Sequence, residues 1–98
     1  MSTKKEILEN IRANRNKCYK RPRFGMPKKY FDQLSYHNWA VNEIIREIEK
    51  SDMPPMLVVE SFISKMEDCA CRNKKNSRMF SIAKDAGEWV LDILISMN

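Results

Sequence analysis

The chain has few of the residues that interrupt regular structure. Two of its 98 residues are glycine, Gly25 and Gly87, and its four prolines, Pro22, Pro27, Pro54 and Pro55, fall in two clusters. Tight turns favour glycine, and proline ends helices. A fold built from many short strands and turns is therefore excluded, and a few long helices are expected.

Histidine is nearly absent as well, with His37 alone, and no Gly-x-Ser-x-Gly, phosphate loop or His-Glu-x-x-His occurs. The usual nucleophilic and metal-hydrolytic sites then have no candidates. Glu67 and Asp68 adjoin in sequence but face apart on a helix, so they form no carboxylate pair. The chain reads as non-enzymatic, with no cofactor.

Cysteines number three, Cys18, Cys69 and Cys71. An odd count with no secretory signal argues against a disulfide framework and for a reducing, cytoplasmic location. Cys18, Cys69, Cys71 and His37 make up a set of zinc-binding residue types. Cys-Ala-Cys is nevertheless one residue short of the usual C-x₂₋₄-C knuckle, and residues two apart on a helix point about 200° apart. Free thiols and no metal are expected. The most apolar run, Trp89 to Ile95, falls far short of the ~20 residues that span a bilayer.

What the chain does have is helical periodicity. Its 43% hydrophobic and 32% charged residues describe a globular domain. Thr3-Lys4-Lys5-Glu6 has capping-box spacing, and Ile7, Leu8 and Ile11 follow as a short apolar stripe, predicting a first helix over about Lys4–Lys17. Trp39, Ala40, Val41, Ile44, Ile45 and Ile48 recur at helical spacing and predict a second over about His37–Lys50. Asp52 suits an N-cap ahead of Pro54 and Pro55, and the third helix carries Met56, Val59, Phe62, Ile63, Met66 and Ala70. After a polar connection, Arg72 to Asn76, Ser77 is a candidate cap for a fourth helix near Arg78–Met97. Its second half is apolar nearly all round, as expected of a central helix or of a homodimer interface along 78–97. The expected fold is an all-α, single-domain bundle of about four helices: a basic helix and loop over 1–35 and a helical core over 36–98.

Charge is distributed unevenly. Residues 1–30 hold ten Lys or Arg against two Glu, whereas residues 31–98 hold eight against eleven, so the first third is near +8 and the rest near −3. From Cys18 to Ser35 the prolines and glycine predict an extended basic loop. Cations that pair with phosphates, interleaved with rings on which bases stack, compose a nucleic-acid or phosphorylated-ligand surface. The candidate phosphate contacts are Arg12, Arg15, Lys17, Lys20, Arg21, Arg23, Lys28 and Lys29, with Tyr19, Phe24 and Tyr30 as stacking or anchoring rings. Two other uses of the same cations stay open. They could fold back on Asp85, Glu88 and Asp92 of the fourth helix, or dock an acidic protein partner, as an adaptor or phage-type inhibitor would.

The stretch from Met66 through Met97, above all Asn76-Ser77-Arg78-Met79-Phe80-Ser81-Ile82-Ala83 and Leu91-Asp92-Ile93-Leu94-Ile95-Ser96-Met97, resembles short uncharacterised proteins of anaerobic gut bacteria and their mobile elements. The resemblance covers about a third of the chain. It implies a small, phage-associated accessory protein that binds rather than catalyses.

Overall fold

In a computed structural model the chain forms four helices: α1 (Lys4–Cys18), α2 (Lys28–Lys50), α3 (Pro55–Arg72) and α4 (Ser77–Ser96). The structure describes residues 3–18 and 28–97, with the side chains of 15–18 and 28–31 left out. Among the described residues there is no strand, and the architecture is the all-α bundle expected.

Each helix start follows from local chemistry. The Thr3 hydroxyl accepts from the Glu6 backbone N–H at 3.2 Å, so the threonine half of the capping box forms. Helix α3 begins two residues later than an Asp52 cap would place it. Pro54, at φ −55° and ψ 137°, is extended, as a residue followed by proline must be, and Pro55 takes the first helical position, where a missing N–H is harmless. The Pro54 carbonyl accepts from the N–H groups of Leu57 and Val58, and the Ser51 hydroxyl, rather than Asp52, takes the N–H of Met53. Helix α4 is preceded by Asn76, not Ser77, at the cap position, with the Asn73 amide oxygen accepting from the Asn76 N–H.

The second helix is longer than its apolar core implied. It opens at Lys28, so residues 28–35 are helical rather than part of an extended loop. Proline disfavours helix for the residue before it, not for those after it. Leu34, Val41 and Ile48 also sit seven apart on one stripe, and Leu34 is half-buried.

Helix α4 is the central element. Its buried residues, Ala83, Ala86, Gly87, Val90 and Leu94, face both α2 and α3. Small residues at 83, 86 and 87 let its neighbours approach closely, and a Cβ added at Gly87 would lie 2.7 Å from Cγ1 of Ile63. Ile63 beside Gly87, and Glu67 paired with Lys84 at 3.6 Å, fix α3 and α4 as an antiparallel hairpin. The core is completed by Val41, Ile44 and Ile48 of α2 and Val59, Phe62 and Met66 of α3. Among the described side chains of α1, Leu8 and Ile11 are buried, with Ile7 packed partly buried against the core. Trp39, placed by its spacing on the apolar stripe of α2, is 41% exposed, because the buried arc runs through Ala40, Val41, Ile44 and Ile45 instead.

Candidate functional site

The basic residues of the first third divide into two groups. Tyr19, Lys20, Arg21, Arg23 and Phe24 lie outside the described residues. Arg15 and Lys17 are in the last turn of α1, and Lys28, Lys29 and Tyr30 open α2, their side chains likewise outside the description.

The basic side chains of α1 that are engaged turn towards the end of α2. Lys4 Nζ donates to the backbone carbonyls of Glu49 and Ser51, both at 3.0 Å, occupying acceptors that a helix C-terminus leaves without intrahelical donors. The Arg12 guanidinium meets the Glu49 carboxylate at 2.6 Å, with both side chains nearly half exposed. Such an exposed pair contributes under about 1 kcal/mol. Among the described side chains of the basic segment, Lys4 and Arg12 thus fold onto the end of α2, at Glu49 and Ser51. Asp85, Glu88 and Asp92, the acidic face on which that fold-back was expected, remain exposed.

Of the candidate zinc set, the Cys18 side chain lies outside the description, and the other three do not form a site. Cys69 is half-buried and Cys71 exposed on α3, whereas His37 lies in the α2–α4 interface with its ring edge against Trp89, centroids 5.4 Å apart. Among the described residues no group of three His, Cys, Asp or Glu is arranged to hold a metal. Where α2 ends against α3 there is a hollow of about 190 Å³, lined by Glu47, Ser51, Met53, Val58, Ser61, Phe62 and Lys65. It offers one carboxylate and one amine and is smaller than the ~300 Å³ at which small-molecule sites begin. No helix among the described residues is long and apolar enough to cross a membrane.

Burial pushes the His37 imidazole below its ordinary value of 6.5, with the Asp85 carboxylate opposing the shift. The unfolded chain then binds more protons than the native one between the native value and 6.5, so stability rises with pH across that window. Stability is expected to be complete above about 6.5, to fall on acidification, and to level off once the native imidazole is itself protonated. Urea midpoints at pH 7.5 and 5.5 should differ by less in His37→Phe, which keeps an aromatic ring against Trp89, than in the wild type. Equal differences would remove His37 as the cause.

The sequence reading missed one group of exposed cations. Arg72, Lys74, Lys75 and Arg78 flank and form the α3–α4 turn, all four exposed. Arg72 pairs with Asp68 at 3.3 Å on the preceding turn of α3. Their signal in the sequence is a run without carboxylates from Cys69 to Lys84.

No family model matches this chain, and neither does any curated protein or solved structure.

Proposed function

We propose that the chain is a cytoplasmic, non-enzymatic accessory protein that binds nucleic acid, or a ligand carrying the same phosphate chemistry, through its basic N-terminal third. The observation that carries this reading is the ten-to-two excess of cations over carboxylates in residues 1–30, interleaved with Tyr19, Phe24 and Tyr30. Arg15, Lys17, Lys20, Arg21, Arg23, Lys28 and Lys29 pair with phosphates, and the rings stack on bases or anchor the segment. Arg12 joins them only when phosphate displaces Glu49 from it.

Fluorescence anisotropy of labelled single- and double-stranded oligonucleotides at about 50 and 200 mM salt tests this, because each phosphate contact released by salt steepens the log–log dependence by about 0.9. Steep binding that is lost in an Arg21→Ala, Arg23→Ala, Lys28→Ala, Lys29→Ala variant supports the reading. Absence of binding at 50 mM salt overturns it. A shallow salt response with equal competition by poly-glutamate would instead assign the cations to an acidic protein partner.

A second reading concerns self-association. Leu57 at the start of α3 and Ile95 at the end of α4 are 46% and 52% exposed, and the antiparallel hairpin brings them to one end. A homodimer through α4 would use this patch. Sedimentation of the wild type against Ile95→Asp would then show a dimer only in the former.

A further inference from the structure

The longest stretch of the chain without Lys, Arg, Asp or Glu runs from Gln33 to Asn42. It lies wholly within α2 and follows in sequence on the cations of residues 20–29. Its exposed positions carry Gln33, Ser35, Asn38, Trp39 and Asn42. Ser35, Trp39 and Asn42 are spaced four and three residues apart, so they form one row along the helix, and Arg46 continues it four residues on. Val41, Ile44 and Ile48 meanwhile hold α2 in the core.

In this row an indole that is 41% exposed stands between a hydroxyl and an amide. Of the carboxylates that bound the uncharged run, Asp32 is half-buried, and Glu43 is met by Arg46 at 3.3 Å, which weakens its repulsion of an anion. The other large apolar side chains exposed among the described residues, Met53, Leu57 and Ile95, lie off α2 and carry no ring.

A neutral π-face flanked by hydrogen-bonding groups suits the base of a nucleotide rather than its phosphate, since every base has a face to stack and stacking needs no charge. Only an unpaired base offers that face, because a base within a duplex is already stacked. An amphipathic helix docking here would need several apolar anchors at helical spacing. The row supplies one ring, with polar groups before and after it.

We propose that Trp39 is a base-stacking residue of a single-stranded nucleic-acid site, with Ser35 and Asn42 flanking the ring and the cations of the N-terminal third holding the phosphates. It rests on the nucleic-acid reading above and narrows the ligand to a strand with unpaired bases. Helix α2 joins the two parts, since Lys28, its first residue, is about 16 Å along the axis from Trp39.

The test is anisotropy of a labelled single strand and of the matching duplex with the full chain, from about 50 to 200 mM salt. Trp39→Ala should weaken single-strand binding by about 5- to 150-fold, the span for removing one stacked base. Its log–log salt slope should stay that of the wild type, because a neutral ring releases no counterion. The Arg21→Ala, Arg23→Ala, Lys28→Ala, Lys29→Ala variant should lower that slope. Trp39→Phe should recover most of the affinity, and duplex binding should be alike in wild type, Trp39→Ala and Trp39→Phe. In Trp89→Phe, where Trp39 is the sole tryptophan, the single strand should quench emission and the duplex should not. Unfolding midpoints by circular dichroism should match between wild type and Trp39→Ala, as the side chain is exposed. Equal single-strand affinity in wild type and Trp39→Ala overturns the stacking role while leaving the N-terminal reading standing. A wild type that binds no oligonucleotide at about 50 mM salt overturns both.

Discussion

Replacing Ile44 by alanine is expected to destabilise the protein by about 2–5 kcal/mol, the range for deleting a fully buried isoleucine to alanine, where the lost transfer free energy adds to an unfilled cavity. Ile44 has no exposed surface and sits in the core cluster where α2 meets the other helices. A domain of this size has only about 5–15 kcal/mol in total, so the variant should melt at least about 10 °C lower. Ile44→Val, which removes one methylene, should cost about 0.5–1.5 kcal/mol. Thermal and urea unfolding by circular dichroism would show this order. A midpoint for Ile44→Ala indistinguishable from wild type would mean that the α2 interface is not packed as described.

Gly87→Ala sets two effects against each other. Alanine in a helix interior is favoured over glycine by about 1 kcal/mol. At this position, however, the new methyl meets Cγ1 of Ile63 at 2.7 Å and Cδ1 of Phe62 at 3.4 Å. The Ile63 branch cannot swing away, because β-branched side chains in helices hold one rotamer, so α3 and α4 must separate. Overpacking of this kind costs about 1–3 kcal/mol, and with about 1 kcal/mol regained from propensity the net expectation is a loss of up to about 2 kcal/mol. Ile63→Ala should reverse its sign. In a double-mutant cycle of urea midpoints, Gly87→Ala should stabilise the Ile63→Ala background and destabilise the wild type, giving a coupling above about 1 kcal/mol. Additive effects would contradict the close approach of the two helices.

These two positions also show where the sequence could be read and where it could not. Ile44 lies on an unbroken stripe with Val41, Ile45 and Ile48, and periodicity alone places it in the core. Gly87 carries no side chain to contribute to any pattern. Its role comes from α3, and only the pairing of Ile63 with it explains why a glycine stands in mid-helix. The first nine residues of α2 were obscured for a different reason. Prolines, a glycine and a dense run of cations precede them, and that composition outweighed the seven-residue spacing of Leu34, Val41 and Ile48 that continues the stripe backwards. Trp39 misled in the opposite direction, since it fits the helical spacing but falls at the edge of the buried arc.

For the candidate site, the sequence shows composition but not convergence. The excess of cations in residues 1–30 is visible by inspection. That Arg12 is engaged by Glu49, 37 positions away, is not. The turn from Arg72 to Arg78 reads as an ordinary polar connection, and only the structure shows these four cations exposed. Sequence spacing orders charges along each helix, but only the fold determines which of them meet.

The lengths of the connections impose an order on assembly. Four residues join α2 to α3 and four join α3 to α4, so these three helices come together through short loops whose closure costs little entropy. Helix α1 has no such advantage. Its clasp at the end of α2 joins Lys4 to Ser51, 47 positions apart, and among its described residues Leu8 and Ile11 are the buried ones. Sparse local contacts and long separations are acquired late in folding. On a chain made from its N-terminus, α1 emerges first but cannot make its clasp until the Glu49 and Ser51 carbonyls have emerged. Until then Lys4 and Arg12 lack the acceptors that hold them in the folded chain.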